Sequence, residues 1–260
     1  MTNIKQSVKH FKSKKKLLSV EVIKREDITN DLLKIWIEKP DEYTFKPGQY
    51  CTIGINGIER AYSIVSAPHE GDLELFVELV PESEGGVLTP LIWDLSSGDT
   101  VTIRPRAKGI FVFNDQWKNH VLVATVTGVV PYVSFIRDYV RKIENQEMQT
   151  NQHKMHVLMG ASYLDEFSYD MELKLAASKY PDLVTFIPTV SRPDEPRNSA
   201  WLGAKGRVNA IVGDYINDNG LSSDDTLIYA CGHPGMIEDV KDKMLPLDFT
   251  VDEERFWKED

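Results

Sequence analysis

Only two cysteines, Cys51 and Cys231, occur among the 260 residues of this chain. A disulfide framework or a four-thiolate metal or iron–sulfur centre needs more thiols than that, so neither can form within one chain. No apolar run approaches the roughly 20 residues that a membrane-spanning helix requires. Residues 1–16 are basic but lack the apolar segment of a signal peptide. We therefore expect a cytoplasmic protein with no metal site and no attachment to a membrane.

Positive charge is also scarce, with 30 Lys and Arg against 40 Asp and Glu and a net charge of −10. This balance argues against nucleic acid as the main partner. The deficit is uneven, since residues 1–117 carry a net charge of −2 and residues 118–260 a net charge of −8. Basic residues cluster between positions 9 and 16 and again at Arg104, Arg106 and Lys108. Each cluster is either an ordinary solvated surface or a docking face for an acidic protein.

The second half of the chain alternates strand and helix patterns. Four apolar runs rich in β-branched residues, at 121–126, 156–159, 184–190 and 227–230, each end in a polar or glycine-containing turn. Helical patterns at 132–143, 167–177 and 236–244 follow three of these runs. The alternation predicts an open, mostly parallel α/β sheet, in which ligands bind outside the carboxyl ends of the strands.

The first half reads instead as short strands separated by turn residues, which predicts a small antiparallel β-barrel. One short helix is expected at 89–95, and the segment 113–120 is expected to link two domains, residues 1–117 and 118–260. The strands are predicted at 17–25, 32–38, 49–55, 58–65, 73–80 and 100–105.

Two stretches of the predicted barrel have the chemistry of a flavin site. In Arg60-Ala61-Tyr62-Ser63 the alternation of a strand places Arg60 and Tyr62 on one face and Ala61 and Ser63 on the other. A guanidinium beside a flat ring suits a diphosphate and an isoalloxazine, although a half-exposed surface strand has the same pattern. Gly85-Gly86-Val87-Leu88-Thr89 precedes the short helix, where backbone N–H groups bind anions. A flexible loop capped by Thr89 is the alternative.

The second half offers groups suited to a pyridine nucleotide. Thr127-Gly128, with Pro131 near the start of a helix, forms a strand-to-helix turn that suits a phosphate, although it is no G-x-G-x-x-G. Ser191, Arg192 and Arg207 suit the 2′-phosphate of NADPH, and surface arginines placed by chance are the alternative. Cys231 is either a buried small apolar residue or a thiol beside a nicotinamide.

Taken in order, these motifs resemble the ferredoxin–NADP reductases, in particular their bacterial branch, over about residues 17–257. The resemblance implies an N-terminal antiparallel β-barrel FAD domain followed by a C-terminal Rossmann-like parallel α/β NADP domain. Its flavin-binding residues correspond to Arg60, Ala61, Tyr62, Ser63, Phe76, Val87, Leu88 and Thr89. Its NADP-binding residues correspond to Thr127, Ala161, Ser162, Ser191, Arg192, Arg207, Cys231, Gly232 and Met236. The aromatic pair Phe256-Trp257 is similar to the pair with which bacterial members cover FAD.

The implied function is that of an FAD-dependent reductase that exchanges electrons between NADP(H) and a one-electron carrier protein, ferredoxin or flavodoxin, as a monomer. Hydride would pass between nicotinamide C4 and flavin N5, with Ser63 hydrogen-bonded near N5 and Cys231 positioning the nicotinamide as the catalytic residues. Two alternatives stay open: an NAD(P)H:flavin or oxygenase reductase, and a non-catalytic flavin-binding regulator.

Two positions depart from the family pattern. Val126 replaces the first glycine of a T-G-T-G turn, and a β-branched residue does not readily adopt positive φ or admit a close ligand. We expect Val126→Gly to improve NADPH binding, and to destabilise the strand end by roughly 1 kcal/mol. Ser162 stands where some bacterial relatives carry an arginine that holds the 2′-phosphate, which weakens the preference for NADP over NAD.

Overall fold

The structure, a computed structural model, describes residues 17–255. Its first half is one six-stranded sheet in which every pair of neighbours is antiparallel, in the order β4-β3-β6-β1-β2-β5. Just beyond β4 the backbone N–H of Val65 donates to the carbonyl of Glu74 on β5 at 2.9 Å, which nearly closes the sheet into a barrel. The strands are β1 (Leu18–Asp27), β2 (Leu32–Glu38), β3 (Tyr50–Ile55), β4 (Ile58–Ser63), β5 (Asp72–Glu78) and β6 (Thr100–Ile103), with the short helix α1 (Thr89–Trp93) between the last two.

The second half is a six-stranded sheet in which every pair of neighbours is parallel. The strand order is β10-β9-β8-β7-β11-β12, and the order reverses between β7 and β11, where open α/β sheets form their ligand crevice. The strands are β7 (Asn119–Thr125), β8 (Lys154–Ala161), β9 (Val184–Val190), β10 (Ala204–Lys205), β11 (Thr226–Gly232) and β12 (Thr250–Arg255). The helices are α2 (Val130–Glu144), α3 (Asp170–Lys179), α4 (Val208–Asp218) and α5 (Pro234–Met244).

This architecture confirms the predicted fold class of an antiparallel barrel followed by a parallel α/β sheet. Sequence patterns missed α4, the two-residue β10 and the edge strand β12. β12 pairs only with β11 and reads Thr-Val-Asp-Glu-Glu-Arg, so it lacks the apolar signature of an internal strand. The predicted linker 113–120 also overlaps the start of β7, where His120 is buried.

The two halves share a hydrophobic core. Barrel residues Leu32, Val65, Phe76 and Phe111 pack in one cluster with the residues under α2 and α3 on one face of the parallel sheet. The barrel interior and the opposite face of the parallel sheet, covered by α4 and α5, form separate clusters. Because apolar surface of both halves is buried in one cluster, that cluster holds the halves together.

A buried ion-pair network reinforces this contact. Arg137 on α2 donates to Glu74 of β5 at 2.6 Å and binds both carboxylate oxygens of Glu172 at 2.7 and 2.8 Å. The hydroxyl of Tyr169 donates to the second oxygen of Glu74 at 2.8 Å. Burial opposes the charge of Arg137, but the hydrogen bonds with Glu172 and the charge of Glu74 outweigh it and raise the pKa of Arg137. The network therefore fixes β5 against α2 and α3.

Candidate functional site

Two clefts meet near the junction of the halves. The larger, about 520 Å³, lies at the carboxyl ends of β7, β8, β9 and β11. The smaller, about 250 Å³, lies on the barrel between β4, the end of β5 and the loop that precedes α1. Glu78 and Thr127 line both clefts, so the two form neighbouring compartments with a common wall.

The barrel cleft collects every predicted flavin-binding residue that the structure describes. The four residues of Arg60-Ala61-Tyr62-Ser63 line it together, although alternation places them on opposite faces of β4. The reason is that β4 is an edge strand, so the cleft wraps around its free side toward β5. The other predicted residues that line the cleft are Phe76, Val87, Leu88 and Thr89.

The loop before α1 has the donor set of a diphosphate site. Among residues 17–255, the backbone N–H groups of Val87 and Leu88 make no hydrogen bond. The hydroxyl of Thr89 accepts from the N–H of Val80 at 3.0 Å and donates to the carbonyl of Val80 at 2.9 Å. Thr89 is therefore not the capping residue considered from the sequence, and its hydroxyl ties the loop to the end of β5. The free amides, with the Arg60 guanidinium in the same cleft, suit the diphosphate of a dinucleotide.

The larger cleft collects the predicted nucleotide-binding residues from four strand ends. Arg192 donates to the hydroxyl of Tyr163 at 2.7 Å and lies 3.7 Å from Glu195, and its side chain is exposed. Because Arg192 is only partly neutralised and reaches solvent, it can contact an incoming phosphate. The predicted residues that line this cleft are Thr127, Ala161, Ser162, Ser191, Arg192, Arg207, Gly232 and Met236.

The turn after β7 differs from the expectation for Val126. β7 ends at Thr125, and Val126 begins a 3₁₀ turn with φ of +41°, in the left-handed region. Conformations of this kind cost a β-branched residue about 1–2 kcal/mol relative to glycine. The expected loss of stability in Val126→Gly therefore rested on the wrong local structure, because glycine relieves strain here instead of weakening a strand.

Two glycines allow the turn after β7 and the end of β11 to pack closely against each other. A Cβ at Gly128 would collide with the carbonyl oxygen of Cys231, and a Cβ at Gly232 would collide with the hydroxyl of Thr125. Gly232 also has φ of +124°. A hydrogen bond at the same place fixes the start of α5, because the N–H of His233 donates to the Thr125 hydroxyl at 2.8 Å.

Cys231 lies on β11, next to Gly232 and beneath this close contact. Its side chain is fully buried, and Gly232 and His233 line the cleft beside it. Burial, and then the charge of Glu254, raise the pKa of the thiol well above its usual value of 9.0. Burial therefore favours the neutral thiol over the thiolate at Cys231. Direct contact of Cys231 with a nicotinamide stays a prediction.

Sequence reasoning missed Glu254 on β12. The hydroxyl of Ser63 donates to Glu254 at 3.2 Å, and Glu254 is the register partner of Cys231 on the neighbouring strand. Burial raises the pKa of Glu254 to about 7, against the opposing effect of the Ser63 hydrogen bond. Glu254 therefore joins the two predicted catalytic residues, one from each half. The only signal in the sequence is an acidic residue among other charged residues near the C-terminus.

Glu78, the last residue of β5, was missed as well. It lines both clefts, and burial followed by the charges of Asp31 and Glu166 raises its pKa to about 7. Within the described part of the chain, the carboxyl has neither a hydrogen bond nor an ion pair, whereas Glu74 on the same strand has both.

Three further observations bound the site. Phe256 and Trp257, predicted to cover FAD, lie outside the described residues. No group of three His, Cys, Asp or Glu residues within 17–255 is placed to hold a metal ion. None of the helices described is long and apolar enough to cross a membrane.

Comparison with known protein families gives two matches along the chain. Residues 19–111 match the oxidoreductase FAD-binding domain, and residues 122–242 match the oxidoreductase NAD-binding domain. The first range contains every residue that lines the barrel cleft except Thr127 and Val130, and the second contains all four strand ends of the larger cleft. The cofactor assigned to each half from the sequence agrees with these matches.

Individual relatives agree with the family matches. The chain is 25% identical over 242 residues to a flavodoxin/ferredoxin–NADP reductase of Buchnera aphidicola, covering 85% of this chain and 88% of that protein. It is 30% identical to a CDP-6-deoxy-L-threo-D-glycero-4-hexulose-3-dehydrase reductase of Yersinia pestis, of which it spans 61%. A ferredoxin NADP+ reductase from Neisseria gonorrhoeae, solved with FAD and NADP bound, shares the fold with a TM-score of 0.76 at 22% identity, covering 93% of this chain and 99% of that one.

Proposed function

The chain belongs to the ferredoxin–NADP reductase family of FAD- and NAD-binding oxidoreductases, and from that premise we propose that it passes electrons between NADP(H) and ferredoxin or flavodoxin. The observation that carries the proposal is the common wall of the two clefts. A flavin held by the barrel and a nucleotide held at the strand ends would lie on either side of that wall, and Ser63 lines the flavin side. Bound FAD supplies the chemistry, because it accepts a hydride and releases electrons one at a time.

The residues of the chain bind and orient the two cofactors and exchange protons. The N–H groups of Val87 and Leu88 and the Arg60 guanidinium hold the flavin diphosphate, while Ser191, Arg192 and Arg207 hold the 2′-phosphate of NADP. Ser63 presents its hydroxyl to the flavin ring from the strand beside it. Behind Ser63, Glu254 holds a proton near neutral pH and exchanges it through the Ser63 hydroxyl, because its pKa is about 7 and their separation is 3.2 Å. Cys231 packs beneath this pair as a neutral thiol.

The electron carrier would dock on the basic side of the barrel. Arg104 is held by both oxygens of Glu59 at 2.9 Å, which leaves Arg106 and Lys108 as the freer charges of this cluster. Ile110 beside them is 97% exposed. Such a surface suits an acidic protein with an apolar centre. We also propose that the enzyme is a cytoplasmic monomer whose domains divide near residue 117.

The proposal is tested with the purified protein under argon. The flavin released from it should be FAD by mass spectrometry, and NADPH should bleach the bound flavin faster than NADH does. Addition of oxidised ferredoxin or flavodoxin should then restore the yellow colour.

The double variant Arg192→Ala/Arg207→Ala is the matched comparison. Each charge-assisted contact to a phosphate contributes on the order of 1.5–3 kcal/mol. The variant should therefore lose the preference for NADPH while its reduction by NADH stays nearly unchanged. A flavin that neither nucleotide bleaches would instead identify a non-catalytic flavin-binding protein. Reoxidation by free flavin alone would identify a flavin reductase.

A further inference from the structure

Among residues 17–255, Glu78 is the one acidic side chain that lines both clefts. It ends β5, where pairing with Leu32 of β2 sets its place beside the common wall. The other residue shared by both clefts, Thr127, lies in the turn after β7, which would face a nucleotide phosphate. Glu78 thus lies at the boundary between the two clefts, beside the turn that would hold the phosphates of a bound NADP.

No neutralising partner for this carboxyl lies in the described part of the chain. Glu70 and Glu74 contact Arg137, Glu166 accepts from the N–H groups of Ser162 and Tyr163, and Glu254 accepts from Ser63, yet Glu78 has no such contact within residues 17–255. Glu78 is half-buried, and partial burial without a partner disfavours the ionised form of a carboxyl. An anion that enters beside it raises that penalty further.

We propose that Glu78 couples nucleotide binding to proton uptake: its carboxyl takes a proton from solvent when NADP binds beside it and returns that proton when NADP leaves. This inference rests on the proposed function of the larger cleft as the NADP site. It makes Glu78 an affinity-determining residue that weakens nucleotide binding in alkaline solution and leaves it strong in mildly acidic solution.

The charges around Glu78 have a consistent direction. Asp31, in the turn between β1 and β2, and Glu166, in the 3₁₀ turn after β8, are both negatively charged neighbours of Glu78. Both raise the affinity of the Glu78 carboxyl for a proton. Among the described residues, the charged and titratable side chains that share a cleft wall with it are Arg60, Tyr62, Arg192, Arg207 and His233. Of these side chains, His233 accepts the N–H of Gly235 at 3.0 Å as the cap of α5.

The sign of the effect follows from linkage. Burial, with the charges of Asp31 and Glu166, raises the pKa of Glu78 to about 7, and a phosphate bound beside the carboxyl would raise this pKa further. Affinity is therefore highest below pH 7 and falls as the pH rises above it, by up to about tenfold per pH unit until the pKa of the complex is reached.

The experiment is a calorimetric titration of the FAD-loaded protein with NADP+, which binds without turnover. At pH 7.5, titrations in two buffers of different ionisation enthalpy give the number of protons taken up. We expect roughly 0.5–0.8 proton for the wild type and a Kd about 5–20 times weaker at pH 8.5 than at pH 6.5. In Glu78→Gln the uptake should vanish, and the Kd at pH 8.5 should become about tenfold tighter than that of the wild type.

Two controls locate the effect. Glu82→Gln removes an exposed carboxyl from the neighbouring turn outside both clefts and should behave like the wild type. Adenosine 2′-monophosphate lacks the diphosphate, so its Kd should be the same in the wild type and in Glu78→Gln. The FAD absorbance and thermal midpoint of each variant show whether it is folded.

Equal proton uptake in the wild type and in Glu78→Gln would overturn the inference while the function stands, and so would tighter binding at pH 8.5 than at pH 6.5. A changed Kd for adenosine 2′-monophosphate would also overturn it, because the effect would then not be local to the diphosphate. If NADP+ fails to bind the wild type at either pH, both the proposed function and the inference fail.

Discussion

The two halves of the molecule build their clefts in different ways. In the parallel sheet, most of the site residues lie at the end of a strand or just beyond it, and four strand ends meet at one edge. In the barrel, the cleft lies at the gap between the two edge strands, so its walls come from β4, β5 and a loop that no local pattern brings together. In the parallel sheet, the strand order therefore brings the functional residues together. In the barrel, they are brought together by the approach of the two edge strands.

The halves also differ in backbone strain and charge. Among described residues that line the clefts, Val126 is the one non-glycine residue with positive φ, and it belongs to the nucleotide side. The carboxyls whose pKa values burial raises to about 7, Glu78 and Glu254, lie at the junction of the halves. The strained residue thus lies on the nucleotide side, and the junction carries the groups most sensitive to substitution and pH.

The largest expected effect comes from separating the two halves. Arg137→Ala leaves Glu74, which is 3% exposed, as a buried carboxylate facing Tyr169 without its cation. Removing one member of a buried ion pair destabilises a protein by about 3–5 kcal/mol. Urea unfolding of the FAD-loaded protein should show this loss, with separate transitions for flavin release and for loss of helix.

The matched control for Arg137 is Lys174→Ala. Lys174 pairs with Asp170 on the surface of α3 at 2.8 Å, with half of its side chain exposed. An exposed pair of this kind contributes about 0–1 kcal/mol. If both variants unfold at the same urea concentration, the network is not what holds the halves together.

A smaller effect concerns the pH dependence of stability at the junction. The pKa of Glu254 is about 7 in the folded protein, against 4.5 as its ordinary value. Because the folded state binds this proton more tightly, the stabilisation is complete below pH 4.5 and is lost as the pH rises through 7. At pH 8 the loss is at most about 3 kcal/mol.

Glu254→Gln keeps the shape of the side chain and removes its titration. The variant should gain stability relative to the wild type between pH 5 and pH 8, by an amount approaching that limit. Thermal midpoints of both proteins at the two pH values measure the difference. A constant offset between wild type and variant at both pH values would mean that Glu254 is ionised throughout.

The smallest effect tests the contrast in strain. Val126→Gly should stabilise the protein by about 1 kcal/mol or less, because relief of the positive φ outweighs the added freedom of glycine in the unfolded chain. It should also lower the Michaelis constant for NADPH without changing the FAD content. Asn56→Gly, at φ of +51° in the turn between β3 and β4, is the control and should change stability little, since asparagine tolerates this region. A destabilised Val126→Gly would show that valine packing at this position outweighs its strain.

Much of the fold could be predicted from local patterns. The apolar runs at 184–190 and 32–38 coincide with β9 and β2, because strands that pack against a core are rich in apolar and β-branched residues and turns are not. The same patterns could not find β12, whose charged residues lie at a sheet edge, nor the left-handed turn at Val126. Edge pairing and local φ are imposed by neighbouring elements, and the residues themselves do not encode them.

The sequence by itself determined two classes of sheet, the cofactor each would hold, and the polar residues at the strand ends, because these depend on residue type and order along the chain. Only the tertiary structure decided that Glu254 is hydrogen-bonded to Ser63 and paired with Cys231 on the neighbouring strand. It also decided that Glu78 belongs to both clefts. Those relations join residues up to 191 positions apart. They arise from strand register and from the packing of the barrel against α2, which bring together groups whose own neighbours in the sequence give no sign of the contact.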